Sequence, residues 1–139
     1  MKILLIEDEK LLLWSLKRSL AREGFEVIAE DSGEKAFGWL PKCTFDWVIT
    51  DYRLPGINGL EVLREVKQCQ PNVKTMMLSA FGSPELLKDL EQDGILCFLP
   101  KPFSIDELIK TLRETSLNTV KKNRFSLPLL LVLGFAFIG

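Results

Sequence analysis

Short, wholly apolar runs alternate with amphipathic stretches along most of the chain, and this alternation restricts the fold more than any other feature. Ile3 to Ile6 is apolar throughout and is bounded by Glu7-Asp8. A run this short, with no polar alternation, reads as a strand buried on both faces. Leu12, Leu16 and Leu20 then recur at four-residue spacing with Lys17, Arg18 and Arg22 among them, which is an amphipathic helix. Gly24 is placed to end it. Phe25 to Ala29 reads as a second strand. Ser32 predicts the N-cap of a helix with Ala36, Trp39 and Leu40 on one face, closed by Pro41. Phe45 to Thr50 is a third strand, and Asn58 caps a helix with Val62, Val66 and Cys69 on one face and Leu60 and Leu63 beside it. Val73 to Leu78 is a fourth strand. Ser83-Pro84 starts a helix with the stripe Leu86, Leu87, Leu90. Ile95 to Leu99 is a fifth strand, and Ser104 opens a last helix carrying Ile105, Leu108, Ile109 and Leu112.

Strand and helix therefore alternate five times, which predicts an α/β fold: a parallel sheet with helices on both faces, joined by right-handed crossovers. The 139 residues suit one domain with a sizeable core. A net charge of −1 leaves no electrostatic footprint of a nucleic-acid binder. The three cysteines, Cys43, Cys69 and Cys97, are odd in number and form no C-x-x-C, so neither a disulfide framework nor a zinc site is expected and a reducing cytoplasm fits best. The N-terminal apolar run is too short for a secretory signal, whose apolar region needs roughly 7–15 residues. The chain has no histidine, which excludes His-based acid–base catalysis and a phosphohistidine made on this chain.

In such sheets, ligands bind beyond the carboxyl ends of the strands. The first strand ends in Glu7-Asp8, the third in Asp51, the fourth in Ser79-Ala80 and the fifth in Leu99-Pro100-Lys101-Pro102. Each of these has an ordinary reading when taken singly. Asp51 before a turn can make a cap or Asx-turn, Glu7-Asp8 can favour the next helix N-terminus, Ser79 can be a strand-end serine, and Lys101 a solvated lysine. Their convergence on one edge favours a shared site. Three adjacent carboxylates repel one another, and a hard, oxygen-seeking cation such as Mg²⁺ relieves that repulsion. Lys101 adds a point charge for a phosphoryl oxygen, and Ser79 a hydroxyl donor. This is the equipment for phosphoryl transfer to an aspartate, a reaction governed by positioning and charge. No glycine pattern for a nucleotide cradle occurs.

The stretches ILLIEDE, FDWVITDYRLPGINGLEVL, VKTMMLSAFGS and FLPKPFSIDEL, in this order, resemble the receiver domain of bacterial two-component response regulators (CheY-like). The resemblance covers roughly residues 2 to 117, and the wording is most like receivers of σ54-type transcriptional activators or their relatives. It implies a flavodoxin-like, doubly wound five-stranded sheet of order 2-1-3-4-5. It implies Asp51 as phosphoacceptor, Asp8 and Asp51 as direct Mg²⁺ ligands, Glu7 acting through water, and the Arg53 backbone carbonyl as a further ligand. Ser79 would be the hydroxyl switch residue, Lys101 the phosphate-contacting lysine, and Phe98 the aromatic switch. A cis peptide before Pro102 is usual in the family. Glu7 stands where an aspartate is common, Ser79 where threonine is frequent, and Phe98 where tyrosine is frequent. From the residues alone, a half-buried strand aromatic is an equal reading of Phe98.

The expected function is that of a phosphoacceptor rather than an enzyme. A sensor histidine kinase or phosphotransfer protein donates to Asp51, and the face made by the fourth helix, fifth strand and fifth helix carries the change to a downstream effector. Two alternatives are an Asp-nucleophile phosphohydrolase and a phosphorylation-independent binding module. The first needs a second acid two residues after the nucleophile, where this chain has Arg53; the intact acid set argues against the second. The receiver is expected over residues 1–118 and a basic, then apolar, tail over 119–139, with no recognised output domain and no direct nucleic-acid binding. Residues 125–139 are too few for a spanning helix of about 20 residues. Lys121, Lys122 and Arg124 precede them. Membrane association, docking on a partner or second copy, and the scar of a lost output region all stay open for this tail.

Overall fold

The structure, a computed structural model, describes residues 1–80 and 82–117. Five strands and five helices alternate: β1 (Lys2–Ile6), α1 (Lys10–Arg22), β2 (Glu26–Glu30), α2 (Gly33–Phe37), β3 (Trp47–Asp51), α3 (Gly59–Cys69), β4 (Lys74–Ser79), α4 (Pro84–Gln92), β5 (Cys97–Pro100) and α5 (Ile105–Leu117). The sheet is parallel in the order β2-β1-β3-β4-β5, as the resemblance implies. The expectations for the tail fall on residues that lie outside the described ones.

The wholly apolar runs are the inner strands, because both of their faces meet a helix layer. Leu4, Ile6, Val48 and Met77 point into one core with Ala36, Val62, Val66, Leu87 and Leu90. Ile3, Leu5, Trp47, Ile49, Met76 and Leu78 point the other way, onto Leu16, Leu20, Leu108 and Leu112. So α2, α3 and α4 cover one face, and α1 and α5 the other. β2 lies at the sheet edge and its side chains are at most half-buried.

The expected caps are in place. Ser32, Asn58, Ser83 and Ser104 accept from the backbone N–H of Lys35, Glu61, Leu86 and Glu107, each satisfying a donor that the helix cannot. Asn58 and Glu61 close a full capping box. Gly24 takes φ +92° directly after α1.

Local expectations are corrected at several points. The third strand starts at Trp47 rather than Phe45, whose N–H is taken by the Gln70 side chain, and runs through Asp51. The second helix stops at Phe37, and Trp39 and Leu40 sit in successive turns whose N–H groups reach back three residues, to Ala36 and Phe37. Gly38 weakens the helix there, and the Trp39 indole N–H donates to Glu30 at 2.6 Å, which anchors the turn to β2. The fifth strand starts at Cys97, not Ile95, because the Ile95 N–H is taken by Leu90 O as the chain leaves α4. Cys69 is exposed although it falls on the expected stripe, since α3 ends at that residue.

Candidate functional site

The register of the parallel ladder brings the strand ends together. Ile6 lies beside Thr50, Asp51 beside Leu78, and Ser79 beside Pro100, so the residues that end or directly follow β1, β3, β4 and β5 share one edge. Two backbone bonds carry the ladder past the strands: Tyr52 N–H donates to Leu78 O at 2.9 Å, and Lys101 N–H to Ser79 O at 2.8 Å. The Lys101–Pro102 peptide is cis.

Glu7, Asp8 and Asp51 each offer a carboxylate oxygen, and these oxygens lie within 4.8 Å of one another. Glu7 is 1% exposed and Asp51 7%, whereas Asp8 faces solvent. Lys101 Nζ donates to Glu7 Oε1 at 2.8 Å and lies 3.4 Å from Asp51 Oδ1. The other Glu7 oxygen accepts the Glu9 N–H at 3.2 Å. Asp51, Arg53, Ser79, Ala80 and Lys101 line a cavity of about 340 Å³ at this edge. Six of the seven residues singled out in the sequence are thus brought together. The exception is Phe98, whose ring is 1% exposed in the core with Leu87 and Leu90, one strand face away from the cavity; the half-buried reading of it does not hold.

The electrostatics are those of acids short of positive charge. Burial pushes the Glu7 carboxyl above its usual range, and the Lys101 hydrogen bond only partly opposes this. Burial likewise raises Asp51 against the opposing charge of Lys101, and Asp8 adds repulsion. For Lys101 burial works against the ammonium, but the bond to Glu7 and the charge of Asp51 outweigh it and its pKa is raised. One ammonium among three acids leaves a net negative pocket of hard oxygen donors. That donor set fits a small divalent cation such as Mg²⁺, which takes one or two carboxylates and keeps several waters.

Two contacts at the site were not anticipated. Lys101 makes its shortest bond to Glu7 rather than to Asp51, a pairing between residues 94 apart in sequence that carries no local signal. Gly59 packs so tightly on the end of β3 that a Cβ there would meet the Asp51 carbonyl oxygen and lie 2.9 Å from Tyr52 Cα. Its position directly after the Asn58 cap was the available hint.

The chain is 31% identical over 104 residues to the DNA-binding transcriptional regulator NtrC of Salmonella typhimurium, covering 75% of this chain and 22% of that protein. It is 30% identical over 115 residues to the chemotaxis protein CheY of Bacillus subtilis, covering 82% of this chain and 96% of that one. Among solved structures, the chemotaxis response regulator CheY4 of Vibrio cholerae superimposes with a TM-score of 0.75 at 28% identity, over 81% of this chain and 96% of that one. The family model for the response regulator receiver domain matches residues 3–113, and with a five-stranded sheet of matching order and an acidic strand-end pocket beneath it, the chain belongs to the response regulator receiver family of two-component systems.

Proposed function

We propose that the domain takes a phosphoryl group onto Asp51 from the phosphohistidine of a separate sensor kinase or phosphotransfer protein. The observation that carries the reading is the single cavity in which Asp51 faces Lys101 and Ser79 beside two further acids. A carboxylate oxygen of Asp51 attacks phosphorus, the donor's N–P bond breaks, and the imidazole leaves with a proton. The Lys101 ammonium, 3.4 Å from Asp51, shifts onto a phosphoryl oxygen, and the Ser79 hydroxyl donates to another. Glu7, Asp8, Asp51 and the Arg53 carbonyl would hold Mg²⁺, which supplies the charge that makes a buried carboxylate tolerable as a neighbour of phosphate. Water attack on phosphorus later breaks the new P–O bond and restores the carboxylate, so the mark is temporary and the chain is an acceptor rather than an enzyme.

A protein donor suits the surroundings of the site. Leu11 and Trp14 stand 74% and 57% exposed on α1, and Leu12, Pro102 and Phe103 border an adjoining groove that also reaches Lys101. The groove and the exposed side chains of α1 together offer a partner contact area on the Lys101 side of the site. The output is carried by α4, β5 and α5, because Ser79 and Lys101 sit at the ends of the strands that those helices flank. The chain acts in the cytoplasm, where a kinase histidine is charged from ATP. Among the described residues no helix is long and apolar enough to cross a membrane.

Intact-mass measurement after incubation with acetyl phosphate and Mg²⁺ tests the proposal. One phosphoryl group on wild type, none in EDTA and none on Asp51→Asn is the expected pattern. No adduct on wild type, or an adduct persisting in the variant, contradicts it.

A further inference from the structure

Among the described glycines for which neighbours are resolved, the three tightest lie around one loop. A Cβ at Gly59 would meet the Asp51 carbonyl oxygen and the Tyr52 backbone, at Gly56 the Glu34 carboxylate, and at Gly33 the Ile57 side chain, at 2.9 Å, together with Val62. The residues met or substituted in these three contacts include Asp51, Tyr52, Gly56, Ile57 and Gly59, which span the segment from the end of β3 to the start of α3. By contrast, a Cβ at Gly24, Gly38 or Gly94 would meet nothing closer than 3.4 Å. Gly59 thus packs directly on the backbone that presents Asp51, while Gly56 lies in the loop against Glu34 and Gly33 packs on it from α2.

The same loop is closed by hydrogen bonds at both ends. Gly59 N–H donates to Tyr52 O at 2.8 Å, and Tyr52 N–H to Leu78 O at 2.9 Å. Thr50 Oγ1 donates to Asp51 O at 2.9 Å. Gly56 takes φ +79°, a conformation that side chains with a Cβ resist. The Asn58–Glu61 capping box fixes the exit into α3. Between these anchors the chain has little freedom left, and each anchor is a contact of the chain with itself.

We propose that Gly59, with Gly56 and Gly33, are positioning residues that hold the β3–α3 loop in its cation-ready shape, so that Asp51 and the Arg53 carbonyl are set before Mg²⁺ arrives. The inference rests on the reading of the acid cluster as a Mg²⁺ site. Ordering of a loop on binding costs affinity, and a loop already ordered avoids that cost. A methyl group at Gly59 forces β3's end away from α3, and the ligand oxygens with it. The residues that support metal ligands, without touching the metal, typically change affinity by about 10–100-fold.

Calorimetric titration with Mg²⁺ alone, without a phosphodonor, tests this on the full chain. Gly59→Ala is expected to weaken Mg²⁺ binding by roughly tenfold or more, and Gly56→Ala by a smaller factor, because it strains the φ +79° turn but meets only the end of a flexible side chain rather than backbone. Leu112→Ala, which opens a cavity under α5 on the opposite face, is the control: it lowers the melting temperature but leaves Mg²⁺ affinity within twofold. If Gly59→Ala does not fold, Gly56→Ala decides the question. Wild-type affinity in the folded glycine variants, or an equal loss in Leu112→Ala, overturns the inference while leaving the Mg²⁺ site intact. A wild type that binds no Mg²⁺ overturns the site and the inference together.

Discussion

At the scale of single residues, the buried acids set the pH behaviour. Glu7 and Asp51 both have folded-state pKa values raised above 4.5 and 3.8, with burial the largest cause. A raised acid binds its proton more tightly in the folded state, so stability falls as pH climbs from those ordinary values through the raised ones. Urea unfolding in EDTA is expected to show this decline, and Mg²⁺ added at neutral pH to reverse it by binding only the folded state. Asp51→Asn removes one part of the slope. Its melting temperature at neutral pH, metal-free, is predicted to exceed wild type by about 4 °C, roughly what 1 kcal/mol gives in a domain of this size; an equal or lower value contradicts the assignment of Asp51 as a disfavoured buried charge. Lys101→Met acts in the opposite direction. It strips the partner from a Glu7 that is 1% exposed and is expected to cost ~1–3 kcal/mol at neutral pH, discounted for the part-exposed lysine. Adding Glu7→Gln recovers most of that loss, and a double-mutant cycle with no coupling would argue against the pair. The acids were legible in the sequence because each closes an apolar run. Their division of labour, with Glu7 holding the lysine, was not, since it depends on two strands that meet only in the fold.

At the scale of elements, the helix starts were legible because a cap is a local arrangement: a Ser or Asn side chain needs only the N–H three residues on. The ends and interruptions were less so. The length of α2 depends on Trp39 reaching Glu30 on β2, and the start of β5 on Leu90 O claiming the Ile95 N–H, both contacts between elements. Gln70 is a further case. Its side chain accepts the Phe45 N–H at 2.9 Å and donates to Leu40 O and Cys43 O at 3.1 and 2.7 Å, so one glutamine after α3 organises the loop leading into β3. Nothing in its neighbouring sequence marks it. Gln70→Ala leaves those part-buried groups unsatisfied and is predicted to destabilise the fold by about 2 kcal/mol. Because that loop enters β3 at the end opposite Asp51, phosphorylation of the variant by acetyl phosphate should proceed at the wild-type rate below its melting transition; a large rate loss would mean that the strand transmits the disturbance. Phe98 makes the complementary point. A short strand pattern fixes which face a residue occupies but not how deep it lies, and with the ring fully inside the α4-side core any outward movement must expose an aromatic surface.

At the scale of the whole molecule, described helices cover both faces of the sheet: α1 and α5 one face, and α2, α3 and α4 the other. A version ending at Thr119 is therefore predicted to melt within ~2 °C of the full chain, well under the shift of a single 1 kcal/mol change, and to bind Mg²⁺ with the same affinity. Fractionation of cells expressing the two versions then reads the contribution of residues 125–139 directly; identical partitioning would remove membrane association from the account. The alternation of five strands and helices made this architecture legible, because buried parallel strands have to be apolar on both faces, and the order of the strands followed from the family resemblance rather than from periodicity. What ties the architecture to the proposed function is one chemical event at one atom, a phosphoryl group on the Asp51 carboxylate. Borohydride reduces an acyl phosphate to an alcohol and leaves a free carboxylate untouched, so reduction after phosphorylation with Mg²⁺, followed by peptide mapping, marks the acceptor. The account predicts homoserine at position 51 and nowhere else, and none without phosphodonor. Reduction at Glu7, Asp8 or any other acid, or no reduced residue in a sample that carries the phosphoryl mass, would contradict it.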